Sequence, residues 1–329
     1  MARVVLVTGV SSPMAAGVAQ TLAGAPSVHR VIGVDSAPPS GAGWSAYSSE
    51  GSEASGEGRS RREYAHVDLH DESLPQIVAD SGADLVLHLG LDADRGPHRE
   101  DHLLGTMRVL TAAQRSASVR RLVVRSSATL DADDAAEIER HTRGLQRRRP
   151  DLSVAVLRFA NLIGPSTDTP LTRYLDSRVV PTVLGHDPRV RFLHEDDGAE
   201  ALVRMALSEE TGFFDVTGKD SVPLSHCLHR VGGQRLPVPA SGLRVLRGLA
   251  RNGRIAYASA NAAHTVRAGL NASRWDTAPL ERVLRWSPSY SSAQAFESYA
   301  SSRASAQPPR GPGLRPVHVL ALARATLGR

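Results

Sequence analysis

Cysteine occurs once in the 329 residues, at Cys227, which excludes an internal disulfide framework and a multi-cysteine metal site. Lysine is as scarce: of 39 basic residues only Lys219 is lysine, so an ammonium group is missing from every other position. Aromatic residues make up 4% of a chain that is 41% hydrophobic, and the core must therefore be built from Val, Leu and Ala, as the doubly covered strands of parallel sheets are. No run approaches the roughly 18 apolar residues of a membrane span. The formal charge of +5 comes from scattered arginines rather than a basic stripe, so nucleic acid is not an expected partner. The opening MARVVLVTG carries no charged-then-apolar leader, and a soluble, cytoplasmic protein is expected.

Through the first half, strand-length apolar runs alternate with segments of helical period, the pattern of βαβ units. RVVLV (3–7), RVIGV (30–34), DLVLHL (84–89), RLVVR (121–125) and SVAVLR (153–158) read as strands. Pro13 to Leu22, Glu72 to Ala79, Glu100 to Ala117 and Ala135 to Arg149 read as the intervening helices. Right-handed crossovers then give an α/β fold: a doubly wound, mostly parallel Rossmann sheet with a smaller C-terminal α/β lobe. Residues 1–165 plus about 185–215 are assigned to a dinucleotide-binding domain, and 166–184 plus 216–300 to a substrate or partner lobe. Residues 301–329 read as a linker and a short terminal helix. Residues 36–62 are rich in Ser and Gly, and a floppy loop is expected there.

The first strand runs directly into Thr8-Gly9-Val10-Ser11-Ser12-Pro13-Met14-Ala15 and then a helix. A strand, a tight turn and a helix N-terminus bring backbone amides and a positive dipole end to a pyrophosphate. Thr8, Gly9, Ser12 and Met14 are the candidate contacts. Only Gly9 survives of the glycine triplet such turns prefer; Ser12 stands where a backbone should approach phosphate, and Ala15 at the last place is mild. The second strand ends in Asp35, which is placed to accept hydrogen bonds from the ribose hydroxyls of NAD and to repel the 2′-phosphate of NADP. The other reading of Asp35 is a simple loop residue. Asp68, closing the third strand, can meet the adenine amino group.

These pieces resemble the extended short-chain dehydrogenases/reductases, the NAD-dependent epimerase/dehydratase group, over roughly residues 3–300. The likeness rests on VLVTG with Asp35, VDL around Asp68, DLVLHLG (84–90), LLGT (103–106) and VVRSSAT (123–129). It continues through VAVLRFANLIGP (154–165), FLHEDDGAEAL (192–202) and WDTAPLERVLRWSPSYSSAQAF (275–296). The resemblance implies NAD as cofactor, preferred over NADP, with Leu89 and Gly90 bordering it. It makes Ser127 the serine that hydrogen-bonds the reacting oxygen and Asn161 a substrate contact. It sets His194 and Asp197 at the junction that carries the chain between the lobes. Ser127 can also be read as a strand-end cap and His194 as a packed junction histidine.

The same resemblance calls for a tyrosine that moves the proton and a lysine four residues on that lowers its pKa and binds the nicotinamide ribose. Alignment of AAEIERH with the helix that carries them puts Asp131 and Ala135 at those two places. The six tyrosines lie at 47, 64, 174, 257, 290 and 299, and the single lysine at 219, all outside that helix. Asp131, Asp133, Asp134 and His102 are the remaining acid/base candidates. Weak or altered catalysis is one expectation, and a non-catalytic dinucleotide-dependent sensor or scaffold is the other. A nucleotide-sugar or other small-molecule ligand, a homodimer and a peripheral membrane contact by the terminal tail are further expectations; a metal is not among them.

Overall fold

The computed structural model describes residues 3–47, 61–89, 99–127, 132–177, 179–239 and 275–306. In chain order the first half holds β1 (Arg3–Thr8), α1 (Pro13–Ala23), β2 (Val28–Asp35), β3 (Ser45–Ala46), β4 (Arg61–His66), α2 (Leu74–Asp80), β5 (Leu85–His88), α3 (Arg99–Arg115), β6 (Arg121–Ser127), α4 (Ala132–Arg148) and β7 (Ser153–Phe159). The second half holds β8 (Asn161–Ile163), α5 (Pro170–Leu175), β9 (Val179–Val183), β10 (Arg189–Val190), β11 (Phe192–His194), α6 (Glu195–Leu207), β12 (Gly212–Val216), β13 (Val222–Pro223), α7 (Leu224–Arg230), β14 (Gln234–Val238), α8 (Ala278–Leu284) and α9 (Ser292–Ala306).

Eight strands pair in the order β12-β7-β6-β5-β1-β2-β4-β3, every pair parallel. The strand order reverses beside β1, and in such sheets the crevice at the carboxyl ends of the strands beside that reversal is where ligands bind. Period-two alternation sorts the side chains onto two covered faces. Val5, Val7, Leu85, Leu87, Val123 and Leu157 join the core with α1 and α6. Leu6, Val86, Leu122, Val124, Val154 and Val156 join the core under α2, α3 and α4. Burial of each such Leu or Val contributes about 1.5–3 kcal/mol, which is why these runs are apolar throughout rather than alternating.

A third cluster gathers Ile163, Tyr174, Phe192, Val222, Phe296 and Tyr299 into the smaller lobe, where Phe192 and Phe296 stack with centroids 5.7 Å apart. Three two-stranded pairs, β10 with β13, β11 with β8 and β14 with β9, frame it. Within 216–300, Leu280 of α8 and Trp286 pack instead into the sheet core on the α1 side.

Three expectations differ from the structure. Much of the expected loop 36–62 is ordered: Ser45–Ala46 is the edge strand β3, pairing with β4, and β4 begins at Arg61. The cause is Trp44, which sits against Gly33 so closely that a Cβ there would lie 2.7 Å from its ring and 2.9 Å from Val10. Residues 48–60 lie outside the described residues. Asp68 does not close a strand; it follows β4 by two residues. Finally, α9 continues to Ala306, into the stretch read as a linker, and the terminal segment from 307 lies outside the described residues.

Candidate functional site

Where β1 ends, the chain turns at Gly9, whose φ of 81° belongs to a region that side chains other than glycine rarely adopt. Its amide donates to the Val34 carbonyl at 3.0 Å, tying the turn to β2. Ser12 Oγ caps α1, accepting the Ala15 amide at 3.2 Å, with Pro13 at the first helical position. Serine is favoured at such a cap and proline just inside it, because the lost amide had no helical partner.

Asp35 closes β2, and its carboxylate accepts the Ser11 amide at 2.9 Å and the Ala37 amide at 3.3 Å. A carboxylate has about four lone-pair sites, so both oxygens retain acceptor capacity toward a diol. The segment after Asp35 is laced onto the turn: the Ser40 amide donates to the Val10 carbonyl at 3.1 Å and its Oγ to the Ser11 carbonyl at 2.6 Å. Tyr64 Oη reaches the carbonyls of Asp35 and Ala37 at 3.0 and 2.9 Å. Asp68 is folded onto its own turn, accepting the His70 amide at 2.8 Å and lying 2.7 Å from its Nδ1. The His70 amide, with its imidazole and Arg108, outweighs desolvation and holds the Asp68 carboxyl below the usual range.

Thr8 and Leu89 are both buried. Thr8 Oγ1 accepts the Leu89 amide at 3.2 Å and lies 2.7 Å from His88 Nδ1, whose Nε2 is 3.1 Å from Thr106 Oγ1. Burial, reinforced by Arg125, pushes the His88 imidazolium down to about 4, so the ring is neutral at pH 7. Gly90 lies outside the described residues.

Ser127 is the last residue of β6, in register with Phe159 of β7. Ala135 falls in the first turn of α4, and Asp131 lies outside the described residues. The helix itself, ADDAAEIERHTRGLQRR, contains neither tyrosine nor lysine. Lys219 bridges to Ser291 in the C-terminal half. Asn161 is buried and donates from Nδ2 to the Arg191 carbonyl at 3.0 Å, while its Oδ1 is buried without a hydrogen bond. At the junction, His194 caps α6 by accepting the Asp196 amide and stacks on Tyr290 with centroids 3.8 Å apart. Asp197 accepts the amides of Ser289 and Tyr290 at 2.9 and 3.0 Å, and burial raises its carboxyl.

Between the α1 N-terminus and β6 lies a cavity of about 80 Å³ whose walls include Ser12, Pro13, Met14, Arg125, Thr167 and Arg173. Arg125 was not singled out from the sequence, where it closes the run RLVVR; the strand continues past it to Ser127. Among the described residues no group of three or more His, Cys, Asp or Glu is placed to hold a metal, and no helix is long and apolar enough to cross a membrane.

Comparison with known proteins adds the following. The model of the "NAD dependent epimerase/dehydratase family" matches residues 5–150. Proteins of Mycobacterium tuberculosis (strain H37Rv) and Mycobacterium bovis, each described as uncharacterized, are 30% identical over 347 residues, covering 96% of this chain and 85% of their own length. Among solved structures, UDP-glucose 4-epimerase from Thermotoga maritima with UDP-glucose is 15% identical with a TM-score of 0.64, over 92% of this chain and 100% of that one. UDP-glucuronic acid 4-epimerase from Bacillus cereus, in complex with UDP-glucuronic acid and NAD, is 14% identical with a TM-score of 0.62 over 92% and 100%. UDP-glucose 4-epimerase from Thermus thermophilus complexed with NAD is 17% identical with a TM-score of 0.61 over 92% and 99%.

Proposed function

Because the chain belongs to the NAD-dependent epimerase/dehydratase family, we propose that it binds a dinucleotide of the NAD type at the carboxyl edge of its sheet but turns over nucleotide sugars slowly or not at all. The single observation that carries this reading is the contrast between two parts of one cleft. The β1–α1 turn with Asp35 is retained, while α4 contains no tyrosine and no lysine. When bound, a nicotinamide dinucleotide supplies hydride transfer.

The residues present fit the adenosine half of such a cofactor. Asp35 keeps acceptor capacity for two ribose hydroxyls, and its charge opposes a 2′-phosphate, which favours NAD over NADP. Asp68 and Met14 are the contacts for adenine and phosphate in this reading. On the reaction side, Ser127 holds an oxygen in this reading, and α4 contains neither tyrosine nor lysine to carry a proton onward. Asp131 and Ala135 stand at the places a tyrosine and a lysine would occupy. Asn161, with a buried acceptor left open, suits a hydroxyl-rich ligand.

A dinucleotide-dependent sensor or scaffold is the reading favoured if turnover is absent. The chain is cytoplasmic and homodimeric in this proposal. The deciding experiment is calorimetric titration with NAD and NADP alongside a turnover assay with UDP- and dTDP-sugars. NAD binding with negligible turnover supports the proposal. Absence of any dinucleotide binding, or turnover near one per second in the ordinary enzyme range, removes it.

A further inference from the structure

β8 and β11 pair in parallel with His194 opposite Ile163, so the residues that follow, Gly164 and Glu195, leave the two strands side by side. They fit because one of them is glycine: a Cβ on Gly164 would run into the Glu195 side chain. Into that space Glu195, the first residue of α6, sends a carboxylate that accepts three hydrogen bonds from the loop after Gly164. Oε1 takes the Ser166 amide at 3.0 Å, and Oε2 takes Ser166 Oγ at 2.7 Å and Thr167 Oγ1 at 2.6 Å. Bonds to an ionised acceptor are roughly twice as strong as neutral ones.

Beyond this clasp the chain is pinned again. Arg173 forks onto Asp168 at 2.8 and 3.0 Å, and Thr169 and Thr172 form a reciprocal capping box at the start of α5. The segment so held is one wall of the cavity of about 80 Å³, to which it contributes Ser166, Thr167 and Thr169, while Ser12, Pro13 and Met14 of the β1–α1 turn form another. Compensation of the α6 dipole does not account for the clasp, because Asp196 and Asp197 also stand in the first turn of that helix and His194 caps it. A wall that is ordered before a ligand arrives spares the cost of ordering it on binding.

We propose that Glu195 is a positioning residue for the ligand in this cleft: its clasp on Ser166 and Thr167 holds the 164–169 wall across the cavity from the α1 turn, so that the phosphate-bearing part of a dinucleotide meets a preformed wall. This rests on the dinucleotide reading above. Glu195 acts through the loop in this account and does not touch the ligand. The sign of its effect separates this role from a direct one, since a nearby carboxylate repels phosphate and its removal would then tighten binding.

The test is isothermal titration of the full chain and its Glu195→Ala, Glu195→Gln, Thr167→Val and Glu195→Ala/Thr167→Val variants with NAD, inorganic pyrophosphate and adenosine, alongside amide exchange at Ser166 and urea unfolding. In Glu195→Ala, affinity for NAD and pyrophosphate is expected to fall about fivefold or more and the Ser166 amide to exchange faster, with the affinity for adenosine, which this reading places at Asp35, unchanged. Glu195→Gln keeps one acceptor oxygen and is expected to lose less. Thr167→Val cuts the clasp from its other end, so the double variant should lose less than the sum of the two single ones. If urea unfolding shows that Glu195→Ala does not fold, Thr167→Val decides: an unchanged affinity for NAD there overturns the proposal. An unchanged or tighter NAD affinity in a folded Glu195→Ala, or an equal fall for adenosine, overturns this inference and leaves the dinucleotide reading standing. Pyrophosphate affinity that falls in Glu195→Ala, in a chain that does not bind NAD, removes the dinucleotide reading and keeps the wall. Binding of neither NAD nor pyrophosphate by the unaltered chain overturns both.

Discussion

Nδ1 of His88 lies 2.7 Å from Oγ1 of Thr8, joining the ends of β5 and β1 by a buried side-chain bond directly below the cleft. With Nε2 facing Thr106, the ring is wired to α3 as well. A neutral imidazole can donate from one nitrogen and accept at the other, which suits two hydroxyl partners; a charged one can only donate.

This arrangement makes stability depend on pH in a stated direction. The His88 imidazolium is held down at about 4, first by burial and then by Arg125. Between its ordinary value near 6.5 and about 4 the unfolded chain binds the proton and the folded chain does not, so stability falls as pH falls through that window. The full effect is about 3 kcal/mol, reached near pH 4. Urea unfolding midpoints measured from pH 7 to 4 check this. The slope is expected to flatten in His88→Gln, and an identical slope in that variant removes the assignment.

The sheet was legible in the sequence because strands covered on both faces need continuous apolar residues, and β1, β2, β5, β6 and β7 all have them. What the sequence hid follows from side chains acting at a distance. Trp44 lies in a Ser- and Gly-rich segment, yet its ring packs on Gly33 and draws the chain after Asp35 onto the turn. Ser12 reads as an intruder in a glycine motif until its Oγ is seen to cap α1. Arg125 reads as the end of a strand until the cavity beside it is seen. Strand period gives the face a residue is on, but not which loop closes over it.

Asp197 is expected to be a stability determinant of the junction between α6 and the segment before α9. Its two oxygens accept the Ser289 and Tyr290 amides. Asp197→Ala leaves both donors without that acceptor, at a cost of roughly 1–3 kcal/mol. Asp197→Asn keeps one acceptor oxygen and is expected to lose less. Denaturant midpoints at unchanged m-value measure the difference, and equal stability of all three proteins contradicts the prediction.

Asp35 is expected to discriminate between dinucleotides. Calorimetry should show NAD bound more tightly than NADP, and Asp35→Asn should narrow the gap by removing the charge while keeping an oxygen for Ser11. The sign is electrostatic, so the gap should also shrink at high salt. NADP bound as tightly as NAD by the unaltered protein would contradict the assignment.

The remaining prediction concerns chemistry. In the proposed reading Ser127 polarises an oxygen while α4, with neither tyrosine nor lysine, supplies no carrier for the proton, and an exposed aspartate with a pKa of about 4 is a poor donor at neutral pH. Loss of a general acid/base typically removes about 10²–10⁴ of rate. With UDP-glucose or a dTDP-sugar and NAD, the unaltered protein is expected to turn over well below one per second. Positions 131 and 135 have the four-residue spacing that the family's tyrosine and lysine have. Asp131→Tyr with Ala135→Lys is therefore expected to raise turnover, and neither change alone should do so, since the phenol needs the ammonium to reach a useful pKa. A gain seen only in the double variant identifies the missing pair as the defect. Fast turnover by the unaltered protein, measured by coupled product formation, would show instead that another group on this chain moves the proton.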